Sequence, residues 1–339
     1  METSILELHP GLVWGFAITV VVMLLLDLGV FNKKSHVVSS REATVWTVVW
    51  ISLAMIFSGV VYWVFSQDAG GTELAVEKFT QFQAAYWIEK ALSVDNLFVF
   101  ILVFSYFKVP RSLHHKVLFW GIIGALVFRA IFIFAGVGII NITFLPEMEL
   151  FGKAVTVNVV LTLFGLFLMY AGIKSWGGDD GDDDQDFANS AGAKLVRKLY
   201  KVSADYDGDK FFTFQNGVKI ATPLLVVVAV IEFTDVLFAV DSIPAIFAIS
   251  KDPFILYTSN IFAILGLRSL YFLLSNFIHM FSKLPYGLSV ILTFIGVKMI
   301  ISPWYHIPSP VSLAIVGGVL VLSVVLSLVF PEEKEAVVG

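Results

Sequence analysis

The chain has 339 residues, 58% of them hydrophobic and 14% charged, with a formal net charge of −5 and a mean hydropathy of +0.87. Soluble domains carry about 25% charged residues, so this balance excludes an ordinary soluble domain, and repeated apolar runs of about 20 residues read as a polytopic helical membrane protein. The chain has no cysteine, which excludes disulfides, thiolate metal sites and cysteine nucleophiles.

Taken in order, the apolar runs predict an all-α transmembrane bundle of about nine spans, near 12–31, 44–66, 83–107, 117–140, 154–176, 223–249, 254–275, 286–304 and 311–330. The first is not expected to be a cleavable signal, because Glu2 and Glu7 precede it and Lys33, Lys34 and Arg41 follow it. Of the 22 Lys and Arg, 15 fall in alternate loops and the tail, Lys33 to Lys334. Only Lys78, Lys153 and Lys251 fall in the opposite loops, and Lys90, Arg129, Arg268 and Lys298 lie within spans. That asymmetry places the N-terminus outside and the C-terminus in the cytoplasm of a cytoplasmic membrane.

The chain also repeats. Gly124-Ala-Leu-Val-Phe-Arg129-Ala-Ile-Phe132 resembles Ala263-Ile-Leu-Gly-Leu-Arg268-Ser-Leu-Tyr271, and Gly172-Ile-Lys174 resembles Gly296-Val-Lys298. Each unit reads acidic helix, arginine helix, glycine-lysine helix. Three spans per unit invert the second copy, as in transporters whose site lies near the midplane. Chance likeness among apolar helices is the alternative. The resulting organisation is two leading helices (1–82), a first repeat (83–176), a cytoplasmic loop (177–222), a second repeat (223–304), and a last helix with its tail (305–339).

The loop opens on an acidic run, Gly177-Gly-Asp-Asp-Gly-Asp-Asp-Asp184, read as a solvated linker or a weak cation antenna. Leu195, Leu199 and Val202 then share a helical face, with Lys194, Arg197, Lys198 and Lys201 largely elsewhere, which predicts a helix lying on the inner leaflet. Phe211–Gln215, Asn216-Gly217 and Val218–Ala221 predict a hairpin with a two-residue turn. Thr222 is expected to cap the next span and Pro223 to open it. Asp205, Asp207 and Asp209 lack a full calcium loop.

The chemistry lies inside the spans. Glu89 and Asn96 share one helical face, as do Asp235 and Ser242, and Glu232 precedes Asp235 by one turn. Asp241 points elsewhere unless the helix kinks at Pro244. Asp95 aligns with either Asp235 or Asp241 between the repeats, and both registers stay open. Glu89, Asp95, Asn96, Glu232, Asp235, Asp241 and Ser242 form an oxygen-only set that suits manganese(II), calcium or magnesium as a transported ion, with no resident cofactor. The six histidines sit in or near loops or span ends.

The plainer reading makes these acids ion-pair partners of Arg129, Arg268, Lys90 and Lys298. It leaves an excess, because Asp27 brings the acids to six against four bases. Some acids would then be protonated, which would suit proton coupling. Asp27 itself reads as interfacial or helix-pairing, and Lys90 as the partner of a neighbouring acid. Gly121, Gly124, Gly136, Gly138, Gly317 and Gly318 read as helix-packing positions. An intramembrane aspartyl hydrolase needs a Gly-x-Gly-Asp-type context, and the nearest string, Asp207-Gly-Asp209, is in the loop. No enzyme and no nucleic-acid partner is expected.

Five motifs resemble the TerC family of integral membrane proteins. They are Glu89-Lys-Ala-Leu-Ser-Val-Asp95-Asn96, Phe104-Ser-Tyr-Phe107, the hairpin with Ala221-Thr-Pro-Leu224, Glu232-Phe-Thr-Asp235-Val-Leu-Phe-Ala-Val-Asp241-Ser-Ile-Pro-Ala245, and Asp252-Pro-Phe254, with Tyr305-His-Ile-Pro308 in addition. The resemblance covers nearly the whole chain. It implies manganese(II) efflux, an association with tellurite resistance, and essential roles for Asp95, Glu232 and Asp235. Transport of calcium or another hard cation, or a non-transporting role beside stress or secretion machinery, stands as the alternative.

Overall fold

The computed structural model describes residues 9–31, 39–150, 153–176, 187–215, 217–277 and 283–330. The side chains of 26–31, 95, 98, 150, 240, 241, 276 and 277 lie outside the described set, so those of Asp27, Asp95 and Asp241 do too, as does the whole acidic run. Of the described residues, 78% are helical. In order it forms α1 (Pro10–Phe31), α2 (Ser40–Phe65), α3 (Gly71–Tyr106), α4 (Arg111–Ile142), β1 (Met148–Leu150), β2 (Lys153–Val155), α5 (Val159–Trp176), α6 (Ala191–Leu199), β3 (Phe212–Gln215), β4 (Val218–Ala221), α7 (Pro223–Phe247), α8 (Pro253–Leu265), α9 (Leu267–Phe277), α10 (Leu284–Ile301) and α11 (Ser309–Val329).

Among the described residues six helices (α2, α4, α5, α7, α10 and α11) are long and apolar enough to cross a membrane. α8 and α9 add a seventh if they count as one span bent by 41°. The other two expected spans correspond to α1, whose searched part Pro10–Leu25 is short, and α3, which carries Glu73, Glu77, Lys78, Glu89 and Lys90. α3 starts twelve residues earlier than its apolar run, just after the 66–70 turn, and packs on α2, α7, α8 and α11. Its segment 82–89 is buried throughout apart from half-buried Trp87, as a helix enclosed by others requires.

Three local differences from expectation have physical causes. The span read as continuous over 254–275 breaks at Gly266, because Lys90 and Trp50 press on that glycine: a Cβ there would come 2.7 Å from Lys90 Nζ. α5 starts at Val159, since residues 153–155 pair antiparallel with 148–150 in a short ribbon instead. Thr222 does not cap α7 with its side chain; its hydroxyl donates to the Lys210 carbonyl (2.7 Å), tying the helix start to the loop. The hairpin forms with Gln215 opposite Val218, and Gly217 takes a φ of +77°, which that two-residue turn needs.

α6 carries two distinct faces. The face expected on the membrane, Leu195 and Leu199, is exposed, while Gly192, Ala193 and Val196 are buried as α6 packs on α7. Val202 falls beyond the helix, bridging to Ala221.

The most extensive helix pair is α5 with α10. It rests on glycines, as expected where small residues let backbones approach, but on different ones from those anticipated. A Cβ on Gly296 would stand 2.6 Å from the Gly165 carbonyl oxygen, and one on Gly172 would stand 2.7 Å from the Ser289 carbonyl oxygen. Gly121, Gly124 and Gly136 do face neighbouring side chains, whereas Gly138, Gly317 and Gly318 face open space. Gly296→Val is therefore expected to lower stability by about 1–3 kcal/mol, read as a lower melting temperature in detergent, and Gly317→Val to leave it unchanged. Equal effects of the two would show that α5 and α10 are not in backbone contact.

Candidate functional site

The centre of the bundle is polar because three helices bring one base and two acids to the same place. Arg129 of α4 is fully buried, as is Glu89 of α3, and Asp235 of α7 is 4% exposed. Arg129 Nη1 donates to Glu89 Oε1 and Nη2 donates to Asp235 Oδ1 (3.2 Å). An always-charged planar guanidinium can hold two carboxylates at once with fixed geometry. Each carboxylate keeps one buried oxygen, Glu89 Oε2 and Asp235 Oδ2, with no partner among the protein atoms.

Glu232 stands one turn before Asp235, in a notch cut into α4 by Gly121 and Gly124. Ile231 lies over Gly121, 3.3 Å from where its Cβ would be, and any side chain on Gly124 would overlap the Glu232 carboxylate. Glu232 Oε2 is likewise buried without a partner. The glycines read as helix-packing positions therefore also make room for an acid.

Asn96 and Ser242 are buried, and Ser242 Oγ has no partner. Each lies seven residues from its acid, hence about 10 Å along the helix. Lys78 of α3 pairs with Asp252 just after α7 (2.7 Å), and Gln81 accepts from Ser250 (2.9 Å), so α3 and α7 run antiparallel. Asn96 and Ser242 therefore lie toward opposite ends of the bundle. The expected oxygens that are described, those of Glu89, Asn96, Glu232, Asp235 and Ser242, form a column through the protein. In line with that, no group of three His, Asp or Glu gathers at metal-binding spacing among the described residues.

The remaining buried bases are placed differently from Arg129. Lys90 donates to the Ala263 carbonyl (3.2 Å) at the end of α8, where a helix C-terminus favours a cation. Lys298 donates to Ser312 (2.8 Å), and Arg268 Nη1 lies 3.5 Å from His115 Nδ1. Arg268 also shares a narrow, mainly apolar cavity with Asp235, walled by Phe100, Leu118 and Leu267. At the end of the bundle where α7 meets α8, a much larger cavity of about 1250 Å³ opens, lined by Glu77, Lys78, Asn158, Ser250, Asp252 and Lys298 among others.

Two polar residues escaped the sequence reading. Ser93, one turn after Glu89, is fully buried with its hydroxyl unpartnered, and Asn260 of α8 is buried with neither amide atom bonded. The signals were present: Ser93 continues the Glu89 face, and Asn260 interrupts an apolar run.

Residues 74–335 match the profile of the integral membrane protein TerC family. An uncharacterised membrane protein of Myxococcus xanthus, STKORF319, is 44% identical over 97% of this chain and 95% of its own length. Proteins of Salmonella typhi and Escherichia coli K12, each named "Putative membrane-bound redox modulator Alx", are 42% and 40% identical over 93% of this chain and 94% of their own. No solved structure matches.

Removing the central base tests the network. Arg129→Met leaves two buried carboxylates unpaired, with an expected loss of about 3–5 kcal/mol, measured as reduced membrane yield and a lower melting temperature in detergent. Adding Glu89→Gln and Asp235→Asn should recover much of it. A triple variant no more stable than Arg129→Met would show that the two acids do not depend on this guanidinium.

Proposed function

Because the chain belongs to the TerC family of integral membrane proteins, we propose that it exports manganese(II) from the cytoplasm by alternating access. The observation that carries this reading is the charge balance at the centre of the bundle. Two carboxylates, Glu89 and Asp235, share one guanidinium, Glu232 stands one turn before Asp235, and all three keep a buried oxygen without a protein partner. Ionised together they leave two formal negative charges, which one divalent ion cancels.

The donors are hard, so the cargo is a hard cation. Arg129 acts as the tethered counter-ion of the empty site. It holds Glu89 and Asp235 in place and yields their second oxygens, with Glu232, to the arriving ion. The sequence motifs assign Asp95 and Asp241 to the same oxygen set. Asn96 and Ser242, set toward opposite ends, serve as way stations along the column. Protons returning on these acids supply charge balance. We assign the chain transport and no catalytic step.

Two inverted three-helix repeats, α3–α5 and α7–α10, supply the moving parts. A reciprocal contact supports them. Gly172 meets Ser289 and Thr293, and Gly296 meets Gly165 and Met169. Aligning Gly172 with Gly296 carries each set onto the other. The pairs α3 with α8 and α4 with α7 likewise exchange under the same operation. The N-terminus lies outside and the loop carrying α6 faces the cytoplasm of the inner membrane, on the strength of the basic-residue asymmetry.

A second reading comes from the relatives named as redox modulators. This chain has no cysteine, so no thiol couple of its own carries such an activity. A non-transporting role beside stress or secretion machinery, or calcium as cargo, competes with manganese export. Proteoliposomes holding this protein alone should move manganese(II) down its gradient and leave zinc behind. Glu232→Gln and Asp235→Asn should reduce the flux at least about tenfold, the factor that 1.4 kcal/mol of lost binding represents. Full flux through the folded variants would remove these acids from the path, and flux of calcium but not manganese would reassign the cargo. Separately, reporters within 177–186 and within 68–72 should read cytoplasmic and external. Finding both on one side would end the inverted-repeat reading.

A further inference from the structure

The segment between α5 and α7 plays no part in the central site, yet it is built against a membrane-crossing helix. A Cβ on Gly192 of α6 would come 2.6 Å from the Ala229 carbonyl carbon, so backbone meets backbone there. Ala229 lies six residues into α7, about 9 Å along it at 1.5 Å per residue. α6 is thus seated beside the first turns of α7, where a span enters the membrane. At the root of the ribbon Trp120 of α4 touches Phe211, ring centroids 6.0 Å apart. Half-exposed tryptophan at a span end marks the membrane–water boundary.

A second face of this assembly is uncovered. Leu195 and Leu199, one turn apart, are 55% and 64% exposed. Tyr200 follows, its ring 5.2 Å from that of Phe212 in β3, and Lys219 of β4 stands 4.2 Å over the same ring. Phe214, 72% exposed, lies on the Phe212 face of the ribbon and directly opposite Lys219. α6 and the ribbon therefore present one continuous surface.

On α6 the charge has one sign. Lys194, Arg197, Lys198 and Lys201 are exposed, and no Asp or Glu occurs between 187 and 204. Arg197 is engaged with the Ala188 carbonyl (2.9 Å). Of the three acids that follow, Asp205 is exposed and the other two are engaged. Asp207 accepts from the Thr213 hydroxyl (2.7 Å) and from Lys210 (3.2 Å), contacts that hold its carboxyl below the usual range, and Asp209 pairs with Lys116 (3.1 Å).

We propose that α6 and the β3–β4 ribbon form a docking surface for anionic phospholipids of the adjoining leaflet. Leu195, Leu199 and Phe214 enter the acyl boundary, and Lys194, Lys198, Lys201 and Lys219 meet the phosphate groups. Charge complementarity selects this partner: basic side chains beside apolar ones, at the level where a span enters the bilayer, match an anionic membrane surface. The cargo of the central site does not enter the argument.

The test uses the full chain in nanodiscs of phosphatidylcholine, with and without phosphatidylglycerol. Phosphatidylglycerol should slow amide hydrogen exchange across residues 191–221 while leaving α8 unchanged. It should also be retained through delipidation, counted by native mass spectrometry. Lys194→Gln, Lys198→Gln and Lys219→Gln are surface changes that leave the buried face of α6 intact, and each should weaken the retention about fivefold. Exchange that is identical in the two lipids overturns the proposal and leaves this face to a protein partner. Protection that survives removal of all three lysines overturns it as well, since an apolar contact alone would then explain it.

Discussion

The guanidinium of Arg129 is the interaction on which the centre of this protein depends. It sits in a surrounding too apolar to hold a carboxylate unaided, and it holds two, from α3 and from α7. The desolvation of such groups is costly enough that a lone acid there would be neutral or would drag water inward. With Arg129 present, three helices share one electrostatic commitment, and their relative rotation is set by it. The same arrangement keeps Glu89 Oε2, Asp235 Oδ2 and Glu232 Oε2 free of protein partners. The cluster therefore joins an ion pair across three helices to buried carboxylate oxygens that no protein group engages.

Around that cluster, glycine decides how closely the helices come. On α4, Gly121 and Gly124 admit Ile231 and the Glu232 carboxylate of α7, and on α5 and α10 the glycines bring backbones within touching distance. Apolar driving force alone does not hold helices together in lipid, so close backbone approach and interhelical hydrogen bonds take its place. The break at Gly266 follows the same logic. Lys90 reaches the last turn of α8 only because no Cβ intervenes, and its ammonium then lies on a helix end that favours a cation.

The two ends of the bundle differ in kind. Where α7 meets α8, Lys78–Asp252 and the Gln81–Ser250 hydrogen bond line a wide cavity whose walls mix these polar groups with apolar side chains. Toward the other end, Asp235 and Arg268 face a narrow cavity walled by apolar side chains. α6 and the β3–β4 ribbon brace the N-terminal end of α7, whose Thr222 is tied to Lys210. An acidic helix held from both ends is suited to transmit a change at its middle to either side.

The sequence by itself determined the class of protein, because apolar runs of membrane-spanning length and the absence of cysteine leave few alternatives. It also determined the hairpin through Gly217, the acids of the centre, and the family, because those features are local or carried by contiguous motifs. Three things required the tertiary structure. That Arg129, and not the other buried bases, bridges Glu89 to Asp235 depends on helices forty and more than a hundred residues apart in the chain. That Asn96 and Ser242 point to opposite ends depends on α3 and α7 running antiparallel, which face-sharing within a single helix cannot reveal. That a second face of α6, Gly192, Ala193 and Val196, is buried against α7 depends on close backbone packing, which the apolar pattern of Leu195 and Leu199 does not report. Periodicity reports which residues prefer to leave water; steric fit between backbones decides which of them touch.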